Sequence, residues 1–396
     1  MFPFLLDNAN YDYLRREYNQ FFRSSTQIAN HMTQIYWQSW AEMWFKPETF
    51  VERNMAYLRE AYQQPEPAWQ TAHNEISVPN HLAGIIKLLD FSEPSDKKII
   101  PTLILPPQAG HHSYIADYSP DQSQVKTLRD NGLTAIYCIE WLGATRETAH
   151  KTIEDYIEAV RWSVEKIGGK VNLMGDCQGG WLAAIYAALY PDTVNTLVVA
   201  GAPIDFQAGN GQIKESVNYI SKTYPENGMT YYKNLINLGG GVMDGRFMLL
   251  GFNLLKPEQY PERFLQLYQD VLNPKAVKRF RQITNWYDHP QSISGAFYLW
   301  LVPHLFRDNE LIKDKLVVDR RKVSLKNITC PLFLLAGTRD HITPPVQVFE
   351  MANYVGTPPE QIEKILEDAG HIGLFMGHEV LAKHWSALGR KIAILS

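Results

Sequence analysis

The chain reads as an α/β protein built on a doubly wound, mostly parallel sheet. Three observations carry that expectation. Short β-rich runs alternate with amphipathic helical stretches from about residue 75 to 205, and the alternation resumes after 328. Some of the β runs, such as residues 133–139, are apolar throughout, as strands covered on both faces must be. And the stretch from Lys170 to Trp181 has the strand-turn-helix pattern that places a nucleophile at the end of a sheet strand.

Composition narrows the field. A chain of 396 residues with 45% hydrophobic and 20% charged residues is large enough for one α/β core with additions. The net charge of −4 gives no basic surface for nucleic acid. The three cysteines, Cys138, Cys177 and Cys330, are too few and too odd in number for a disulfide framework. The first residues lack a signal-peptide pattern, and no apolar run is long enough for a membrane span. The expectation is a cytoplasmic protein without a transmembrane segment.

Residues 1–72 are expected to be helical. Ile28, Met32, Ile35, Tyr36 and Trp40 recur at helical spacing, and Pro47 stops or restarts the helix. The plain expectation is that this segment packs on the main domain. The sharper one is a surface for a partner, a second copy or an apolar granule. The core is expected over 73–205 and 328–396. Residues 83–91 and 98–105 read as β runs, followed by the loop Pro106-Pro107-Gln108-Ala109-Gly110-His111-His112. A short helix over 122–130, a strand over 133–139 and a helix over 152–167 come next. The strand ending at Met174, the helix from Gln178 and a strand over 196–200 complete the first half. Residues 206–327 break the alternation and are rich in Tyr, Phe and Leu, which predicts a helical cap over the strand ends. A strand over 332–336, a helix over 346–355, a strand over 363–367 and a helix over 379–393 close the chain.

Three loops carry the chemistry. Gly175-Asp176-Cys177-Gln178-Gly179 is a nucleophile elbow with Cys in place of Ser. Its glycines leave room for a strained backbone that lifts the thiol off the strand. Asp340 follows one late strand and His371 the next, so the order is Cys, Asp, His, that of the α/β-hydrolase fold. Cys177 is the expected nucleophile, His371 the general base and acid, and Asp340 the group that orients His371. The backbone N–H of Gln178, with one from the Gln108–Ala109 loop, would form the oxyanion hole. His341 is an accessory candidate. No ligand cluster has metal spacing, so no metal and no cofactor is expected. Cys138 and Cys330 lie in or beside apolar strands and read as inert core.

From about Thr102 onward the chain resembles the polyhydroxyalkanoate synthases. The resemblance rests on Leu105-Pro106-Pro107, Asp117-Tyr118-Ser119-Pro120, Ile139-Glu140-Trp141, the box around Cys177, Pro203-Ile204-Asp205-Phe206, Phe252-Asn253-Leu254-Leu255-Lys256-Pro257, Asp340-His341-Ile342 and Gly370-His371-Ile372. It implies a Cys177-His371-Asp340 triad that moves 3-hydroxyacyl units from coenzyme A thioesters onto a growing polyester. It further implies a cap, a homodimer, and either a second synthase subunit or a granule surface as partner. The sequence departs from that family at Asp176, where an apolar or aromatic residue is usual, and at Trp181, where a small one is. The alternative is a hydrolase with the same triad, either an intracellular polyhydroxyalkanoate depolymerase or a thioesterase.

Overall fold

The computed structural model describes residues 8–62, 66–95, 98–108 and 110–396. They form two compact units, one of the described residues up to 67 with 247–289, the other of those from 68 to 246 with 290–396. This grouping differs from the expected boundaries. The middle of the insertion belongs with the N-terminal helices, and its two flanks belong with the sheet.

The larger unit is built on eight strands: β1 (Asn74–Ile76), β2 (Ile86–Asp90), β3 (Thr102–Leu105), β4 (Ile136–Trp141), β5 (Val171–Asp176), β6 (Val194–Ala200), β7 (Leu332–Gly337) and β8 (Ile362–Glu367). Their order is β1-β2-β4-β3-β5-β6-β7-β8. From β4 to β8 every pairing is parallel, and β1 and β2 add antiparallel at one edge. The central strands carry the core. All six residues of β5 and all six of β7 are buried. The strand order reverses around β3, because the chain goes from β3 to β4 on one side and later to β5 on the other. In an open parallel sheet, ligands bind at the crevice this reversal creates at the strand C-termini.

Local chemistry sets the helix starts. Ser123 caps the helix Gln124–Asp130 by accepting the Lys126 N–H. Thr152 and Asp155 form a capping box at the start of Ile153–Lys166, with the Thr152 N–H donating to Asp155 Oδ2 at 2.8 Å. The elbow helix, Gln178–Leu189, is buried on every side. Two expected helices differ. The one over 346–355 is α-helical only from Pro345 to Phe349 and tightens into a 3₁₀ turn over Glu350–Asn353. The closing helix widens into a π turn over Leu381–Trp385 before Ser386–Leu395. The edge strand β1 is not among the expected elements, since two exposed residues and one half-buried residue leave no hydrophobic pattern to read.

Within the smaller unit, the helices Asn8–Phe45 and Pro47–Tyr62 pack on Gln259–Asp270, which also packs on Pro274–Tyr287. Ala56, Leu267, Val271 and Phe280 form its apolar core. The long helix contributes polar groups to this packing. Ser24 Oγ donates to Glu258 Oε2 at 2.6 Å, His31 hydrogen-bonds Glu262, and Ser39 shares a 2.8 Å hydrogen bond with the Tyr268 hydroxyl. Arg53, buried, forks onto Glu42 at 2.8 and 2.9 Å and donates to the Tyr268 carbonyl at 3.0 Å. Tyr36, Trp37, Trp40, Met43, Trp44 and Phe45 stay exposed. So the periodic apolar stripe, expected to be a buried face, points largely to solvent. No helix among the described residues is long and apolar enough to cross a membrane.

Candidate active site

The elbow sits at the C-terminus of β5, next to the strand-order reversal. Cys177 has φ +50° and ψ −116°, a left-handed conformation that costs roughly 1–3 kcal/mol for a residue with a side chain. The surroundings impose it. The Cys177 N–H donates to Ala200 O at 2.8 Å, and its carbonyl accepts the Gly180 N–H at 2.9 Å. The glycines are steric necessities. A Cβ on Gly175 would lie 2.3 Å from Gly179 O, one on Gly179 would lie 1.9 Å from Leu105 O, and one on Gly180 would lie 2.4 Å from Ala202 Cβ. The first turn of the elbow helix therefore rests directly on the end of β3.

The structure brings Cys177, His371 and Asp340 together. The turn after β7 holds Asp340 buried, with Oδ1 accepting the N–H groups of Ile342 at 2.9 Å and Thr343 at 2.8 Å. That leaves Oδ2 for His371 Nδ1 at 2.7 Å. An ionised carboxylate can only accept, so Nδ1 carries the proton in the neutral ring and Nε2 keeps its lone pair. The two turns are tied to each other, because the Arg339 N–H donates to Ala369 O at 3.1 Å and the Thr338 N–H to Glu367 O at 2.9 Å. His371 is buried, and the edge of its ring meets Phe375 at a centroid distance of 5.3 Å. Burial works against its charged form, but Cys177, through charge and a hydrogen bond, and Asp340 hold its pKa well above the ordinary value.

The remaining candidates are placed as follows. Gln178 is the first residue of the elbow helix, where a backbone N–H has no intrahelical acceptor. Gln108 is buried in the loop after β3, and its Nε2 donates to the Tyr156 hydroxyl at 3.4 Å. Burial pushes the Tyr156 phenol up to about 12, so it stays neutral. Ala109 lies outside the described residues. His341 follows Asp340 in the same turn, and its carbonyl accepts the Gln212 N–H at 3.3 Å. Cys138 is fully buried, and burial followed by the charge of Asp176 pushes its thiol far up. Burial raises Cys330 to about 11. No group of His, Cys, Asp and Glu among the described residues is arranged to hold a metal ion.

Sequence reasoning missed the groups that brace the site. Trp141 Nε1 donates to Pro106 O at 2.9 Å, and the Gln291 N–H donates to Gly110 O at 2.7 Å, so the loop after β3 is held from two sides. Gln124 donates to Asp176 at 3.3 Å. These partners are 35, 52 or more residues away in sequence, and no local spacing signals them. Trp181, the first-turn departure, is buried against Phe297, which in turn packs on Tyr156 at a centroid distance of 4.3 Å.

An eight-stranded, mostly parallel sheet with a strained residue on a strand-turn-helix elbow, followed by an acid turn and a histidine turn, defines the α/β-hydrolase fold. A monoacylglycerol lipase from Paleococcus ferrophilus shares it, with a TM-score of 0.50 and 18% identity over 78% of this chain and 99% of the lipase. The family model described as "Protein of unknown function (DUF3141)" matches residues 75–396, and the chain belongs to that family. Its curated relatives include the poly(3-hydroxyalkanoate) polymerase subunit PhaC of Haloferax mediterranei, 25% identical over 87% of this chain and 68% of that protein. The corresponding subunit of Haloarcula marismortui is 27% identical over 73% of this chain and 60% of its own length. The chain is a divergent relative of the polyhydroxyalkanoate synthases.

Proposed function

We propose that the protein is an acyltransferase that moves 3-hydroxyacyl groups from coenzyme A thioesters to the hydroxyl end of a polyester, through an acyl group on Cys177. The observation that carries the reading is the line from the strained Cys177 through His371 to Asp340, in a relative of poly(3-hydroxyalkanoate) polymerases. Cys177 Sγ attacks the thioester carbonyl as its proton passes to His371. The carbon–sulfur bond to coenzyme A breaks, and the leaving thiolate takes that proton from His371. The acceptor hydroxyl then gives its proton to His371 and attacks the acyl-cysteine, and Cys177 leaves and recovers the proton. Both steps form one acyl bond and break one. Asp340 holds the ring tautomer and offsets the imidazolium charge. The Gln178 N–H, with donors from the 108–109 loop, would bind the tetrahedral oxygen.

The exposed aromatic face of the N-terminal helix suits assembly with a second copy. It offers Trp37, Trp40 and Trp44, the side-chain type that anchors protein interfaces.

The test is coenzyme A release from 3-hydroxybutyryl-coenzyme A, with the acyl product identified by mass spectrometry. Polyester from the wild type and none from Cys177→Ala is the expected result. Free 3-hydroxybutyrate would replace the reading with a thioesterase. Release that survives in Cys177→Ala would remove the nucleophile assignment.

A further inference from the structure

Asp176 is unused by this mechanism. It is the last residue of β5, immediately before Cys177, and it is fully buried. Among the described residues its side chain has one hydrogen bond, a long one: Gln124 Nε2 donates to Oδ1 at 3.3 Å. Gln124 is itself fully buried at the start of the helix Gln124–Asp130. Among the described residues, Asp176 Oδ2 and Gln124 Oε1 have no hydrogen-bond partner. Both are acceptors, and they belong to side chains that already face each other. An ionised carboxylate leaves both orphaned. A single proton on Oδ2 serves both, since the O–H donates to Oε1 while Nε2 donates to Oδ1.

No Lys or Arg among the described residues pairs with Asp176. The titratable groups around it are Cys138 on β4, His371 on the last loop, with Asp340 beyond it, and the adjoining Cys177. A buried carboxylate without a cation is strongly disfavoured.

We propose that Asp176 is a positioning residue that works as a neutral carboxylic acid behind the nucleophile, paired with Gln124, and that its ionisation is coupled to the charge on His371. The proposal rests on Cys177 being the nucleophile. Its direction follows from the surroundings. Burial raises the Asp176 pKa to about 7, with Gln124 and the charge on His371 pulling the other way. Positive charge on His371 therefore loosens the Asp176 proton, and an ionised Asp176 opposes a thiolate on the next residue. The site would lose nucleophilicity as Asp176 ionises.

The experiment is the pH dependence of Cys177 alkylation by iodoacetamide, with the labelled peptide identified by mass spectrometry. It needs no acyl donor. The wild-type profile should show an inflection near pH 7. Asp176→Asn keeps the pairing with Gln124 but has no proton to lose, so the inflection should vanish. Above the inflection the variant should react about threefold faster or more than wild type. Gln124→Leu removes the partner that the carboxyl group faces, so its inflection should move off the wild-type position. That variant decides the matter if Asp176→Asn does not fold. Profiles that overlay wild type, or a wild type without the inflection, would overturn the proposal. If the inflection behaves as stated but no coenzyme A is released, the substrate reading fails and this one stands. If coenzyme A is released and the profiles overlay, the reverse holds. A Cys177 that iodoacetamide does not label removes both.

Discussion

Asp340 binds three donors with two oxygens. The Ile342 and Thr343 N–H groups fix the turn, and His371 Nδ1 takes what remains. Asp340→Asn would present an amide nitrogen to one of these donors and leave the ring free to take the wrong tautomer. Coenzyme A release from 3-hydroxybutyryl-coenzyme A should fall on the order of 10³- to 10⁴-fold, with the fold kept by circular dichroism. The same contact has a pH signature. His371 is held well above its ordinary pKa, so its contribution to stability is complete below the ordinary histidine value and is lost as pH rises through the folded one. The melting temperature of wild type over His371→Gln should therefore be most favourable in mild acid and narrow on raising the pH. A gap that widened instead would mean that the imidazole is buried neutral.

At the scale of elements, the elbow is a contact between backbones. Adding a methyl group at Gly179 would drive it into the Leu105 carbonyl, which belongs to β3 and cannot swing away. Gly179→Ala should cost roughly 3 kcal/mol or more in urea unfolding. Gly169, a surface turn with nothing within 4 Å of a Cβ but φ +81°, should lose much less on the same change. The helices Pro47–Tyr62 and Pro274–Tyr287 are held partly by charge. Buried Glu60 receives two hydrogen bonds from Arg281 and one from Arg59, and the Arg281 bonds chiefly lower its pKa. That stability is present above the unfolded glutamate pKa and is lost as pH falls through the folded one. Glu60→Gln should cost roughly 2–3 kcal/mol near neutrality, discounted for the exposure of Arg281, and progressively less in acid.

At the scale of the molecule, the grouping of helices changes which experiment can probe assembly. Deleting the first 67 residues would strip Ala56 from the core it shares with Leu267, Val271 and Phe280. Lost assembly after that deletion would report unfolding as much as a missing interface. Replacing Trp37, Trp40 and Trp44 with Ser leaves that core intact, because all three are exposed. If this face joins two copies, the triple variant should sediment as a monomer under conditions where wild type is a dimer. An unchanged sedimentation coefficient would show that the aromatic face does something else.

The sequence by itself determined the central strands and the three loops that carry Cys177, Asp340 and His371. β7 is apolar over its whole length, β5 and β6 carry apolar runs at Leu173-Met174 and Leu197-Val198-Val199-Ala200, and the elbow glycines, the Asp340 turn and the His371 turn each occupy a fixed place after a strand. Those signals are local, set by backbone sterics and by burial on both faces of a parallel sheet. Tertiary structure alone decided the rest. Gln124 reaches Asp176 and Tyr156 reaches Gln108 only because strand order brings distant segments together. Periodicity marked the apolar stripe of the N-terminal helix but not which side would be covered. The side that packs is the one whose Ser24, His31, Ser39 and Glu42 find hydrogen-bonding partners on the helices of its own unit, and the tryptophans are left outside. A hydrophobic pattern records what would gain from burial. Partners far along the chain determine what is buried.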